Sequence, residues 1–178
     1  MIVVDADDVE TGRMGKLEAH RAGVRHRAVS VILFRGDGAM LLQQRATSKY
    51  HSPGLWSNTC CGHPRPGEST VDAARRRLRE ELGIDCALEH AATLSYRAEV
   101  AGEEGLVEHE IDHVFVGQTE AEPVPDPEEV ADWRWVPVDA FLADAAADPS
   151  RYTPWSTLVV RAVDDAGAAF PPIDRPAR

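Results

Sequence analysis

Apolar residues along this chain come mostly in short, β-branched runs set apart by Gly, Asp and Pro, and only a few stretches repeat them at helical spacing. Residues 2–4 read as a short strand, and Thr11 with Gly12 reads as a turn before a polar stretch carrying Lys16, His20 and His26. Residues 28–34 and 40–44 flank Arg35-Gly36-Asp37-Gly38 and read as a hairpin, because Gly and Asp supply the positive φ angles such a turn needs. From 45 to 67 neither periodicity persists and Pro, Gly, Ser and Asn dominate, which predicts a long loop of functional character. Ser69 three residues before Asp72 is a helix-capping signature, Val71, Ala74, Leu78 and Leu82 then fall on one stripe, and Gly83 supplies the stop. A second hairpin is expected from residues 92–100 and 106–117 around Gly102-Glu103-Glu104-Gly105. Residues 133–136 read as a strand, 139–147 and 154–165 as helices, and 168–178 as a loosely held, Pro-rich tail. Strands and helices mixed without strict alternation predict an α/β fold, a mixed β-sheet sandwiched between helices, with 1–178 forming a single domain.

Composition narrows the partners. The 178 residues are 43% hydrophobic and 28% charged, ordinary for a chain that buries a core, and the formal net charge is -11. Such a field repels nucleic acid and anionic membranes, so neither is an expected partner, and no obligate protein partner is evident. An anionic substrate would have to be met by a local cluster of Lys and Arg or by metal. Cys60, Cys61 and Cys86 are an odd number of thiols, two of them adjacent, which is poor material for a disulfide framework and fits a reducing cytoplasm. The first residues carry no basic stretch and only three successive apolar positions, so neither a signal peptide nor a membrane span is expected.

Candidate chemistry concentrates in residues 58–84, where a thiol-bearing loop runs into a helix dense in Arg and Glu. Arg77, Glu80 and Glu81 stand at i, i+3 and i+4 and share one helical face. Taken alone they are either a surface ion-pair cluster or a carboxylate pair able to hold a hard cation. Glu108 and Glu110, two apart on a strand, point to one side, which fits either a solvated edge or a pocket. A lone Cys is commonly a small buried hydrophobe, and a lone His a polar surface or core residue. Cys60, Cys61 and His63 lack the paired C-x2-C spacing of structural zinc.

The spacing as a whole is more specific. Gly62, Glu68 after five residues, and R-R-L-R-E-E-L-G-I over 76–84 after seven more resemble the Nudix box, G-x5-E-x7-R-E-U-x-E-E-x-G-U with U aliphatic. Arg77 departs from it, standing where Nudix hydrolases carry Glu. The change removes a carboxylate ligand and makes that face two charge units more positive, weakening the alternative of a Nudix pyrophosphohydrolase acting on a nucleoside diphosphate derivative. S-P-G-L-W, N-T-C-C-G-H-P, V-E-H-E and T-P-W, with T-G-R-M-G-K, H-R-A-V and Q-R-A-T-S-K, are similar to type 1 isopentenyl-diphosphate isomerases over about 2–165.

That resemblance implies an isomerase of isoprenoid biosynthesis that interconverts isopentenyl and dimethylallyl diphosphate through a carbocation-like intermediate. It implies Cys61, Glu110, Tyr96 and Trp155 as catalytic residues, and Lys16, Arg45, Lys49 and Arg77 as contacts to the diphosphate of a small isoprenoid substrate. It implies His20, His26, His63, Glu108 and Glu110 as ligands of one divalent metal, manganese or zinc, and Glu81 as a ligand of the magnesium that accompanies the diphosphate. His51, His90, His109 and His113 fall outside these motifs and read as ordinary polar residues.

Overall fold

A computed structural model describes residues 1–100 and 105–166. In chain order the elements are β1 (Ile2–Val4), β2 (Glu10–Arg13), α1 (Lys16–Ala22), β3 (His26–Phe34), β4 (Met40–Arg45), β5 (Trp56–Ser57), β6 (Cys60–Gly62), α2 (Thr70–Leu82), β7 (Leu88–Glu99), β8 (Val107–Gln118), β9 (Val130–Val136), α3 (Val138–Ala147) and α4 (Ser156–Asp165). The sheet is organised around β3. One edge of β3 pairs in parallel with β8, from His26 opposite Glu110 to Phe34 opposite Gln118. The other edge receives β6 antiparallel, with Ser30 opposite Cys61, and β1 at Val3 opposite His26. β7 extends the sheet beyond β8, whereas β4 leaves β3 after Phe34 opposite Met40 and pairs with β9 and β5.

Alternation along β3 explains why its run is nearly all apolar: the sheet is covered on both faces. Val29, Val31 and Leu33 pack with Ala73, Ala74, Leu78 and Leu82 of α2. Ile32 and Phe34 pack with Phe141 of α3 and Val159, Val160 and Val163 of α4. The mixed sheet between helices is therefore as the sequence predicts. α2 starts and stops on the expected residues, with the Ser69 hydroxyl accepting from Asp72 N at 3.2 Å and Gly83 in the left-handed region at φ 67°.

Several local readings change. Thr11 and Gly12 lie inside β2, and the turn falls earlier, where Asp5 Oδ1 accepts from Asp7 N and Val9 N and Asp8 adopts φ 62°. The polar stretch before His26 contains α1, a seven-residue helix too short to show periodicity and buried only at Ala19 and His20. The 45–67 loop carries β5 and β6, whose two and three residues leave no alternating pattern to read. β7 begins at Leu88, not 92, with a register irregularity between His90 and Ala92 that breaks the alternation. Of the 102–105 turn only Gly105 is described, and the 168–178 tail lies outside the described residues. No helix among the described residues is long and apolar enough to cross a membrane.

The loop entering α2 is anchored by Arg76, which meets Glu68 Oε1 at 2.7 Å and Oε2 at 2.8 Å and donates to the His63 carbonyl at 3.2 Å. This paired, charge-assisted contact pulls the Glu68 carboxyl from 4.5 down to about 2. A depressed carboxyl contributes stability that is complete above its unfolded value and disappears as pH falls toward 2. Glu68→Gln is expected to cost about 1–2 kcal/mol at pH 7, discounted for partial exposure, with the deficit shrinking between roughly pH 4.5 and 2. Urea unfolding of both proteins across that range checks it; a pH-independent deficit would contradict the ion pair as its source.

Candidate active site

The site is a cavity of about 240 Å3 at the end of the sheet where β3, β6 and β8 meet. Three groups of side chains converge on it, each delivered by a different piece of backbone.

The first group is a buried cluster of imidazoles and carboxylates. Glu108 and Glu110 project from the same side of β8, and the parallel register sets His26 beside Glu110. His20 arrives from α1 and His63 from the residue after β6. One ligand atom from each of these five residues lies within 4.8 Å of all the others. His26 Nδ1 donates to the Val24 carbonyl at 2.8 Å, which turns its Nε2 toward Glu110 Oε1 at 3.3 Å, and His20 Nδ1 is tied to the Tyr50 hydroxyl at 2.5 Å. His20 Nε2, His26 Nε2 and Glu108 Oε2 are buried there without a hydrogen-bond partner. His20 Nε2 and Glu108 Oε2 stand 3.0 Å apart, and the convergence of these buried nitrogens and carboxylate oxygens on one point fits a divalent cation; a set of three imidazoles and two carboxylates suits a first-row metal. Burial opposes charge in this cluster, yet the Glu108 and Glu110 carboxylates raise His26 to about 9, and His20 and His26 hold Glu108 well below the usual carboxylate range.

The second group is cationic. Lys16, Arg45, Lys49 and Arg77 all line the cavity. Burial lowers Arg45, and burial reinforced by neighbouring cations lowers Lys16 and brings Lys49 to about 8, even though Glu129 lies against Lys49. Arg77 also pairs with Glu80 Oε2 at 2.7 Å, with Glu129 at 3.2 Å and with Glu81. Its stem lies across Gly62: a Cβ on that glycine would sit 2.6 Å from Arg77 Cγ. Gly62 is thus a close-approach position that lets the guanidinium reach the cavity.

The third group faces these from the β6 and β7 side. Cys61 lines the cavity, and burial pushes its thiol up to about 12. Cys60, the next residue along the strand, points into the opposite core beneath α2. Tyr96, opposite Glu110 across the β7–β8 pair, donates to Glu110 Oε2 at 2.6 Å, and burial keeps it a phenol by raising it well above its ordinary value. Trp155 closes one side, with the Arg45 guanidinium 5.7 Å from its ring centroid.

Cys61, Glu110, Tyr96, Trp155, Lys16, Arg45, Lys49 and Arg77 are therefore brought to one cavity, with Glu108 and His63, while His20 and His26 complete the cluster from behind. Glu81 does not line the cavity: it is buried, held by Gln43 Nε2 at 2.8 Å and by Arg77. Met1, His51, Arg65, Arg76 and Glu129 also line the cavity without having been singled out as site residues in the sequence. His51 sits 3.5 Å from Glu108 Oε1 and edge-on to Trp155, and burial drops it to about 3. Glu129 bridges Lys49 and Arg77. His51 stands in an irregular loop with no spacing signal, and Glu129 is one of several acids in an exposed-looking run.

Comparison with known proteins then settles the family. A model of the NUDIX domain matches residues 24–156. The chain is 46% identical over 175 residues to Isopentenyl-diphosphate Delta-isomerase 2 of Aromatoleum aromaticum, across 95% of this chain and 92% of that one. It is 50% identical over 155 residues to Isopentenyl-diphosphate Delta-isomerase of Burkholderia multivorans, across 87% of each. The chain belongs to the NUDIX family, among the isopentenyl-diphosphate Delta-isomerases. A solved structure, that of DR0079 from Deinococcus radiodurans, shares this fold with a TM-score of 0.75 at 21% identity, over 90% of this chain and 97% of that one. Within this NUDIX frame Arg77 is the position where the box loses a carboxylate and the cavity gains a cation.

Two outcomes follow from the geometry. His63→Ala is expected to lower the divalent metal retained through gel filtration, read by elemental analysis; unchanged content would contradict a ligand role. Gly62→Ala is expected to displace Arg77 and raise KM for a diphosphate substrate roughly tenfold while the fold persists, which steady-state kinetics alongside circular dichroism will show.

Proposed function

We propose that this protein interconverts isopentenyl diphosphate and dimethylallyl diphosphate. The observation that carries the reading is that Cys61 and the Tyr96-bonded Glu110 converge on one small cavity that Lys16, Arg45, Lys49 and Arg77 also line. At about 240 Å3, that cavity is smaller than the roughly 300–1,000 Å3 of pockets for drug-sized ligands, which favours a five-carbon diphosphate over a nucleoside derivative.

Moving the double bond requires a proton to be added to the terminal alkene carbon and another to be lost from the carbon nearer the diphosphate. An alkene is a very weak base, so the site needs a positioned acid, a base on the other side, and little water. Cys61 from β6 and Glu110 from β8 come from strands that flank β3 and serve as that pair. Tyr96 steadies the proton on or near Glu110 through its 2.6 Å bond. Trp155 offers a π face to the tertiary cation, worth about 2 kcal/mol when desolvated. Lys16, Arg45, Lys49 and Arg77 grip the diphosphate, Arg77 through a planar fork.

A divalent ion held by His20, His26, His63, Glu108 and Glu110, manganese or zinc by the donor set, would supply Lewis acidity that tunes the proton affinity of Glu110. Magnesium is proposed to enter with the diphosphate, with Glu81 as its protein ligand once Arg77 turns to phosphate oxygens. The three free thiols fit a cytoplasmic enzyme, with a small isoprenoid diphosphate as its partner.

Incubation with isopentenyl diphosphate and magnesium should yield dimethylallyl diphosphate without released phosphate; phosphate release without isomer would instead support a pyrophosphohydrolase. Cys61→Ala is expected to bring isomer formation to background while Cys60→Ala stays close to the parent rate, and equal losses would show that the wrong thiol has been assigned.

A further inference from the structure

The side chains behind Cys61 form a buried polar network, with Asp112 Oδ1 left without a hydrogen-bond partner, that neither metal binding nor diphosphate binding uses. β6 runs antiparallel to β3 with Cys61 opposite Ser30, and the Ser30 hydroxyl lies 3.4 Å from Sγ. The second neighbour of the sulfur is Asn58 Oδ1, which accepts from it at 3.2 Å. Both neighbours are themselves fixed. Asn58 Nδ2 donates to the carbonyls of Val31 and Cys60, each at 3.1 Å, so both amide protons are committed and the oxygen is the atom turned to the thiol. The Ser30 hydroxyl donates its one proton to Asp112 Oδ2 at 2.7 Å, which leaves a lone pair facing Sγ.

Ser30, Asn58 and Asp112 are sealed, at 1%, 0% and 0% exposure, and none of them lines the cavity. Polar groups buried so deeply cost about 1–3 kcal/mol each when left unpaired, so these three beneath one thiol, continued by Ser57 Oγ at 3.2 Å from Asn58 Oδ1, are a demanding arrangement beside the apolar cluster that surrounds them. Its only member at the cavity is Cys61.

We infer that Ser30 and Asn58 are positioning residues for Cys61: Asn58 Oδ1 takes the single S–H while the Ser30 hydroxyl packs against the sulfur from the other side, and together they select one side-chain rotamer and so fix where the thiol meets the substrate. Asp112, reaching in from β8 on the far edge of β3, fixes Ser30 in turn. The inference rests on the reading of Cys61 as a reacting group. A free cysteine torsion has three staggered wells, and a displacement of about 1 Å at a reacting atom costs up to roughly a hundredfold in rate.

The test compares Ser30→Ala, Ser30→Thr and Asn58→Ala in the metal-loaded enzyme turning over isopentenyl diphosphate. Ser30→Ala and Asn58→Ala are expected to lower kcat roughly ten- to a hundredfold with KM little changed, because diphosphate contacts and metal ligands are untouched. Ser30→Thr keeps the hydroxyl and is expected to recover most of the rate. Metal content and thermal midpoint are followed for each variant, since loss of packing alone would lower stability without splitting kcat from KM. If both alanine variants keep the parent kcat while Cys61→Ala is inactive, the inference is overturned and the reading of Cys61 stands. Equal losses in Ser30→Ala and Ser30→Thr also overturn it, since the hydroxyl would then carry no special role. Full activity in Cys61→Ala would sink both.

Discussion

The parallel register of β3 with β8 is the constraint on which the site depends. It fixes His26 beside Glu110 and, two residues back along β8, brings Glu108 to the same side. Because β8 is also the antiparallel partner of β7, Tyr96 falls opposite Glu110 from the other edge. A slip of one residue between β3 and β8 would turn both carboxylates away from the face that carries His26, and a slip between β7 and β8 would turn Tyr96 away from Glu110. The heavy apolar cover on both sides of β3, from α2 and from α3 with α4, is what makes that slip prohibitive. Core packing and ligand geometry are thus one specification.

Charge is arranged by the same economy of position. In a chain of formal charge -11, Lys16, Arg45, Lys49 and Arg77 are gathered from α1, the end of β4, the following loop and α2 onto one wall of one cavity. Their mutual repulsion and burial are relieved in part by Glu129 and Glu81, which act as internal counter-charges. An incoming diphosphate can replace those carboxylates as the partner of the guanidinium and ammonium groups. The acidic exterior then keeps weakly bound anions from gathering elsewhere.

Much of this was legible in the sequence, for identifiable reasons. The central hairpin strands and α2 were readable because β-branched runs, the Ser69 cap and the Gly83 stop are local signals. The residues that meet at the cavity and in the His/Glu cluster were readable because their motifs are individually distinctive and occur in order. α1, β5 and β6 were not, since segments of seven, two and three residues hold too few positions for periodicity. His51 and Glu129 were missed because an irregular loop and an acidic run bring them to the cavity by tertiary contact alone. Ser30 was hidden in plain view within an apolar strand, where a single small polar residue carries no pattern of its own.

The neighbouring cysteines illustrate what a strand can do that a loop cannot. Because Cys60 and Cys61 occupy successive positions of β6, one thiol enters the core under α2 and the other the cavity, on opposite faces of the sheet. A disulfide demands that the two Cβ atoms approach and the sulfurs face each other, so joining this pair would require β6 to leave β3. The hydrogen bonds that hold β6 to β3 therefore act as a redox guard: under oxidising conditions the cavity-facing thiol is kept from pairing with the one sulfur that is always beside it in the chain.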